Sequence, residues 1–209
     1  MIVTGISNAV INRMPRYYRY LRDLSKNHVE RISSTELSQL MHTTPSQVRQ
    51  DFNIFGGFGQ QGYGYNVQTL CKEIKGLIGV EQCSSMIIIG AGNMGQALVN
   101  YANFPKLGFQ IKGIFDINPK LCGLVIQEIE IQPIDQLEKF LSQNQIQIAT
   151  LTVPREQAQA MAERLVSAGI RAIWNFAPVD LELPKEVVVE NIHLAESLMQ
   201  LAFRRNHLT

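Results

Sequence analysis

The residues best suited to chemistry form one run, Gly90-Ala91-Gly92-Asn93-Met94-Gly95. Glycines spaced in this way suit a backbone that must approach a phosphate. Gly90 permits a tight turn, Gly92 lets the main chain come close to a pyrophosphate, and Gly95 lets the next helix pack closely. Ala91, Asn93 and Met94 complete a loop that opens a helix, where free N–H groups and positive partial charge favour an anion. Asp116 lies 21 residues beyond Gly95. In a dinucleotide site an acid at about that distance holds the ribose hydroxyls, and its charge repels a 2′-phosphate. The expected cofactors are therefore NADH and NAD+ rather than their phosphorylated forms.

Elements on both sides position these groups. Met86, Ile87, Ile88 and Ile89 read as a buried parallel strand, residues 96–102 as a helix, and residues 109–115 as a second strand ending at Asp116. Residues 146–153 form a further strand stopped by Pro154, and residues 157–168 a helix ended by Gly169. Residues 170–174 form another strand, followed by Asn175, Phe176, Ala177 and Pro178. Ligands of open α/β sheets sit at the carboxyl ends of strands, so Thr152, Val153 and Pro154 should line the cleft, with Asn175, Phe176 and Ala177 beside them. Residues 134–141 have helical spacing, and Val187, Val188 and Val189 suit a last strand. A C-terminal helix over about 192–206 carries Leu194, Leu198, Leu201 and Ala202 on one face. Periodicity does not say whether that face closes the chain's own core or docks on a second subunit. The expected class is α/β, with a Rossmann domain over 85–209.

The first part of the chain is built differently. A helix over about 12–26 tolerates Pro15 in its first turn and interleaves Arg13, Arg16, Arg19 and Arg22 with tyrosines and leucines. Arg13 and Arg16 are candidates to face DNA phosphates. Ser33 and Glu36 have the spacing of a capping box. Thr44, Pro45 and Gln47 suggest a second one, with Gln47 as reciprocal cap. Val48 and Phe52 would face inward, leaving Ser46, Gln47, Arg49 and Gln50 outward on the second helix. Two short capped helices fit a helix-turn-helix or a plain hairpin. In the former, Arg49 suits guanine, and Gln47 or Gln50 suits adenine. Residues 55–65 hold five glycines and four aromatics, as a β-hairpin wing would, with Gln60, Gln61 and Tyr63 placed to meet DNA. Asn66 caps a last helix. A winged-helix domain over 1–80 is expected, with residues 79–84 as linker.

Composition narrows the classes. The chain has 209 residues, 45% hydrophobic and 18% charged, with no apolar run near the ~20 residues of a membrane span. The N-terminus does not read as a signal peptide, so the expected compartment is the cytoplasm, with no membrane partner. Cys71, Cys83 and Cys122 are unevenly spaced, which argues against a disulfide framework or a metal site. Residues 1–80 carry nine Lys/Arg against five Asp/Glu, whereas the remainder carries ten against thirteen. A basic first part suits a polyanion.

Pro15-Arg16-Tyr17-Tyr18-Arg19-Tyr20-Leu21, Ser33-Ser34-Thr35-Glu36-Leu37, Gln47-Val48-Arg49-Gln50-Asp51-Phe52, the 58–65 wing, the 90–95 loop, Leu151-Thr152-Val153-Pro154 and Asn175-Phe176-Ala177-Pro178 together resemble the redox-sensing transcriptional repressor family Rex. The resemblance covers essentially the whole chain. It implies a homodimer that binds palindromic operator DNA when NADH is scarce and leaves when NADH binds. It also implies a C-terminal helix swapped between subunits and a loop at Asn175 near the nicotinamide. Gln50, Gln60 and Gln61 stand where many members carry a basic residue, which should lower phosphate-driven affinity. His193 stands where many have an Asp that pairs with residues matching Arg19 and Tyr101, and a neutral imidazole cannot replace a carboxylate there. Two other classes remain. An NAD-dependent oxidoreductase needs an acid or base beside the nicotinamide, yet none of His28, His42, His193 and His207 lies between 85 and 180. A nucleotide-binding protein with weakened DNA binding is motivated by the three glutamines.

Overall fold

The computed structural model describes residues 6–54, 59–60 and 63–207, with residues 59–60 by backbone alone. The chain divides into two compact units, Met1–Gln82 and Cys83–Thr209.

In the first unit α1 (Asn8–Lys26) contributes Val10, Met14, Tyr17, Tyr18 and Leu21 to the core. It starts earlier than its arginine spacing suggests, so Pro15 lies inside the helix rather than in its first turn. Pro15 and Ile11 both lie on the exposed face, where water can serve the carbonyl that the missing N–H leaves over. The short strand β1 (Arg31–Ile32) leads to α2 (Ser34–Met41). Ser33 caps α2 in a complete capping box: its hydroxyl accepts from the Glu36 amide at 3.1 Å, and the Glu36 carboxylate accepts from the Ser33 amide at 2.8 Å. His42 turns left-handed (φ 50°) and ends α2. Then α3 (Pro45–Asn53) starts at Thr44, whose hydroxyl accepts from the Gln47 amide at 3.1 Å. The strands β2 (Gly59–Gln60) and β3 (Gly64–Asn66) pair antiparallel, and β1 joins β3 on its other edge. Asn66 caps α4 (Val67–Leu77) by accepting from the Thr69 amide at 2.9 Å. Phe52 of α3 lies 4.8 Å from the Tyr17 ring and 5.0 Å from the Tyr65 ring, so it ties helix to hairpin. These four helices with the β-hairpin make a winged helix.

The second unit is built on a seven-stranded sheet. Its strands are β4 (Ser84–Ile89), β5 (Phe109–Asp116), β6 (Val125–Ile126), β7 (Ile129–Pro133), β8 (Ile148–Leu151), β9 (Ala172–Asn175) and β10 (Val188–Asn191). Their order is β10-β9-β8-β4-β5-β7-β6. Only the short β6 runs antiparallel to its neighbour. Without β6 this is the doubly wound Rossmann order, and the direction of winding reverses between β4 and β8. One face packs Ile87, Ile89, Phe115, Ala149 and Leu151 against α6 (Leu137–Gln143) and α7 (Arg155–Ser167). The other face packs Ile88, Ile114 and Ile131 against Val99 of α5 (Asn93–Val99). Beyond α5, over β8 to β10, that second face opens into an apolar cavity of about 350 Å³ lined by Met86, Phe104, Ile148, Trp174 and Val188. The chain continues to α8 (Leu194–His207), which buries none of its residues; Leu194, Leu198, Met199, Leu201 and Phe203 are 59–68% exposed.

Candidate functional site

A cavity of about 450 Å³ lies at the carboxyl ends of β4, β5 and β8, where the winding reverses. Its walls include Gly90, Gly92, Asp116, Thr152, Val153 and Pro154. The glycine loop is held by close approaches that only glycine allows. Gly90 has φ +101°, and a Cβ there would lie 2.7 Å from the Thr152 carbonyl oxygen. A Cβ on Gly95 would lie 1.9 Å from the Gly90 carbonyl oxygen. A Cβ on Gly92 would meet nothing within 4 Å, so the backbone there borders open space of the kind a pyrophosphate needs. Gly92 caps α5 without a side chain, which leaves the first-turn amides of Asn93 and Met94 for an anion.

Asp116 does more than its spacing suggests. Oδ2 accepts from the Ala91 amide at 2.6 Å and Oδ1 from the Asn118 amide at 2.7 Å. The carboxylate thus braces the glycine loop, and each oxygen keeps lone-pair capacity for a ribose hydroxyl. Thr152 braces the loop from the other side, its hydroxyl lying 2.7 Å from the Gly90 carbonyl and 3.0 Å from that of Ile89. Sequence reasoning missed Ile117, Asn118, Leu121, Ile134, Gln157 and Met161, which also line the cavity. Gln157 and Met161 lie four apart on α7, a spacing that could have shown them as one face.

In the loop after β9 Asn175 is fully buried, and its side-chain amide is engaged within the protein. Its Nδ2 donates to the Val179 carbonyl at 2.7 Å and to Asn191 Oδ1 at 2.8 Å, and its Oδ1 accepts from the Ala177 amide at 3.0 Å. Asn175 therefore shapes the loop and ties it to the end of β10. Ala177 is buried as well, and Phe176 stacks edge-on to Trp174 at 4.6 Å. That contact continues a chain of rings through Phe104 to Tyr101. His193 Nε2 lies 3.2 Å from Asp180 Oδ1, so its partner is the loop after β9. Arg19, in the first unit, places its guanidinium over the Tyr20 ring at 5.0 Å.

The candidate DNA-reading surface is the outer side of α3. Arg49 is exposed and donates from Nη1 to Ser34 Oγ at 3.0 Å and from Nη2 to Ser46 Oγ at 3.2 Å, which aims the guanidinium. Gln50 and Ser46 are exposed beside it, and Tyr63 of the hairpin is 71% exposed. Arg16 is exposed, and its hydrogen bond to Tyr20 lowers that hydroxyl's pKa. Arg13 is not a free cation. Its Nε donates to Asp51 Oδ2 at 2.7 Å and its Nη2 to Oδ1 at 2.8 Å. The expected reciprocal cap by Gln47 is corrected: its side chain does not return to cap Thr44 but donates from Nε2 to Asp51 Oδ1 at 2.8 Å. The hub, Asp51, is fully buried, and it also accepts from the Tyr17 hydroxyl at 2.9 Å. Burial pushes its pKa up, but the bonds from Arg13, Gln47 and Tyr17 overcome this and hold it below the ordinary 3.8. Burial and the bond to Asp51 push the Tyr17 hydroxyl well above its ordinary range. Gln61 and the 55–58 stretch lie outside the described residues, as does the side chain of Gln60.

Comparison with known proteins covers both units. Residues 81–179 match the family model described as a CoA binding domain, and residues 5–53 match that of a putative DNA-binding protein N-terminus. Relatives named redox-sensing transcriptional repressor Rex include those of Thermoanaerobacter pseudethanolicus and Clostridium perfringens. The first is 54% identical over 97% of this chain and 91% of its own length. The second is 53% identical over 97% and 96%. Among solved structures, one titled as RSP in complex with β-NAD+ and operator DNA superposes with a TM-score of 0.93. It is 54% identical and covers 97% of this chain and 94% of that one. Another, RSP in complex with β-NADH, gives a TM-score of 0.90 at 51% identity, covering 97% and 95%.

Proposed function

This chain belongs to the Rex family of redox-sensing transcriptional repressors, and on that premise we propose a working cycle for it. The winged helix holds operator DNA, the Rossmann unit takes NAD+ or NADH, and NADH releases the DNA. The observation that carries this reading is the pair of relatives above half identity, one solved with NAD+ and operator DNA and one with NADH.

The chain's own residues fit the part. The 90–95 loop and the first turn of α5 take the pyrophosphate. Asp116 takes the adenosine ribose and disfavours a 2′-phosphate. Thr152, Val153 and Pro154 wall the middle of the cleft. The bound cofactor supplies a signal rather than a hydride. Asp116 is the only titratable side chain among the described residues that line the cleft, and both its oxygens are engaged by backbone amides.

NAD+ and NADH share everything that the loop and Asp116 hold, so only the nicotinamide end can distinguish them. A ligand moves a two-state equilibrium only by its differential affinity for the states. The loop after β9 is the route by which that difference leaves the cleft. It is bonded to the end of β10 through Asn175 and Asn191, and to the root of α8 through Asp180 and His193. The bare apolar side chains of α8 and the open sheet face over β8 to β10 are the kind of exposed apolar surface that marks an interaction face. A second copy covers them, giving a homodimer that works in the cytoplasm. A two-fold dimer reads a palindrome whose half-sites lie one helical turn apart, about 34–36 Å or a multiple. NADH shifts α8, and the paired winged helices lose that spacing.

The test is operator binding at fixed total cofactor while the NADH share rises. Affinity should fall steadily as that share grows. A flat titration would reject the cycle.

A further inference from the structure

In the recognition helix the side chain of Gln47 is held in one orientation. Its partner, Asp51, is buried and ionised, so it can only accept hydrogen bonds. The end of the Gln47 amide that faces it is therefore the nitrogen, and the usual ambiguity between amide oxygen and nitrogen does not arise. Arg13 and Tyr17 hold Asp51 in turn, so the acceptor does not move. Oε1 lies on the branch of the amide turned away from Asp51 and has no hydrogen-bond partner among the described residues. Gln47 is the third residue of α3, half-buried, one turn before Asp51. The first turns of such a helix are the part that meets base edges in the major groove.

Resting on the DNA-binding reading above, we propose that Gln47 is a specificity residue for the operator and that Asp51 is the positioning residue that sets which bases it accepts. An oxygen pointed outward accepts from an exocyclic amino group, N6 of adenine or N4 of cytosine. Facing O6 of guanine or O4 of thymine it meets a second acceptor and is repelled. A free glutamine could turn its nitrogen outward and serve those bases equally well. Asp51 denies it that option. The selectivity of one operator position is thus written in a buried carboxylate that touches no DNA. Arg49, aimed by Ser34 and Ser46, reads its own base independently.

The experiment selects bound sequences from random duplexes with the full-length protein and NAD+. Wild type, Gln47→Ala, Asp51→Asn and the double variant are compared. Wild type should show in each half-site one position that favours adenine or cytosine over guanine or thymine by roughly tenfold. Gln47→Ala should level that position and leave the others. Asp51→Asn offers an amide that can donate, so Gln47 can turn over and the same position should admit guanine and thymine. In the double variant Asp51→Asn should add nothing there beyond Gln47→Ala. A selection in which wild type enriches no sequence overturns the DNA-binding reading itself. If wild type and Gln47→Ala enrich one consensus, this inference alone is overturned. It is equally overturned if a folded Asp51→Asn, checked by its melting curve, loses affinity for all sequences evenly. Should Asp51→Asn not fold, the side-chain amide protons of Gln47 in wild type decide by NMR. One proton shifted downfield and slow to exchange supports the anchoring, and two solvent-like protons refute it.

Discussion

At the scale of single residues, charge alone does not tell a candidate DNA contact from a structural brace. Arg13 and Arg49 are both arginines on helices of the basic first unit, yet one is spent on Asp51 and the other lies open to solvent. The difference comes from Asp51, whose burial periodicity did not reveal because Val48 and Phe52 already account for the inner face of α3. The two roles predict different losses. Arg13→Met leaves a buried carboxylate without its ionic partner and should cost about 3–5 kcal/mol in urea unfolding. The salt slope of whatever DNA binding remains should stay unchanged, whereas loss of a phosphate contact would lower it by about 0.9. Arg49→Ala should leave stability and NADH binding intact and weaken specific operator binding roughly tenfold or more, read by gel shift. Asp116→Ala removes the acceptor that braces the glycine loop and that the proposed cycle assigns to the ribose. NADH affinity should fall roughly 10- to 100-fold by calorimetry while DNA is still bound. Unchanged affinity would move the ribose contact elsewhere.

At the scale of elements, capping chemistry was the most legible signal. Ser33, Thr44 and Asn66 each start a helix where their spacing says. The glycine loop, β4 and the strand ending at Asp116 could be read for the same reason: each rule concerns a local backbone need. The β6–β7 hairpin was not legible. Its turn residues, Gln127 and Glu128, both take positive φ without a glycine or asparagine to announce them. Nor could spacing show that Asn175 turns inward, because its partner Asn191 lies on another strand. That pair makes a prediction. Asn191→Ala removes the side-chain tie between the loop after β9 and β10, so NADH should still bind but should release DNA less completely, measured by operator titration at saturating NADH. The bare face of α8 makes another. Leu198→Asp should yield monomers in sedimentation and lose palindromic operator binding while keeping the cofactor site.

At the scale of the whole molecule, acid should act on carboxylates of both units, Asp51 foremost. The folded Asp51 titrates below its ordinary value, so its contribution to stability is fully present above about 3.9 and is lost as pH falls through the lowered folded value. Glu36, held down by the Ser33 amide and hydroxyl, and Glu138, held down by Arg164, follow the same direction. Melting temperature should therefore change little between pH 7 and about 5 and decline below about 4. The Rossmann unit carries a different kind of consequence. Its glycine loop is braced on both sides, by Asp116 and by Thr152, through bonds made within the protein. A receptacle already shaped before the nicotinamide is consulted welcomes the oxidised and the reduced forms alike, so the two must contend for one place. Under saturation, doubling both together changes nothing, and the promoter hears only which of the rivals is gaining.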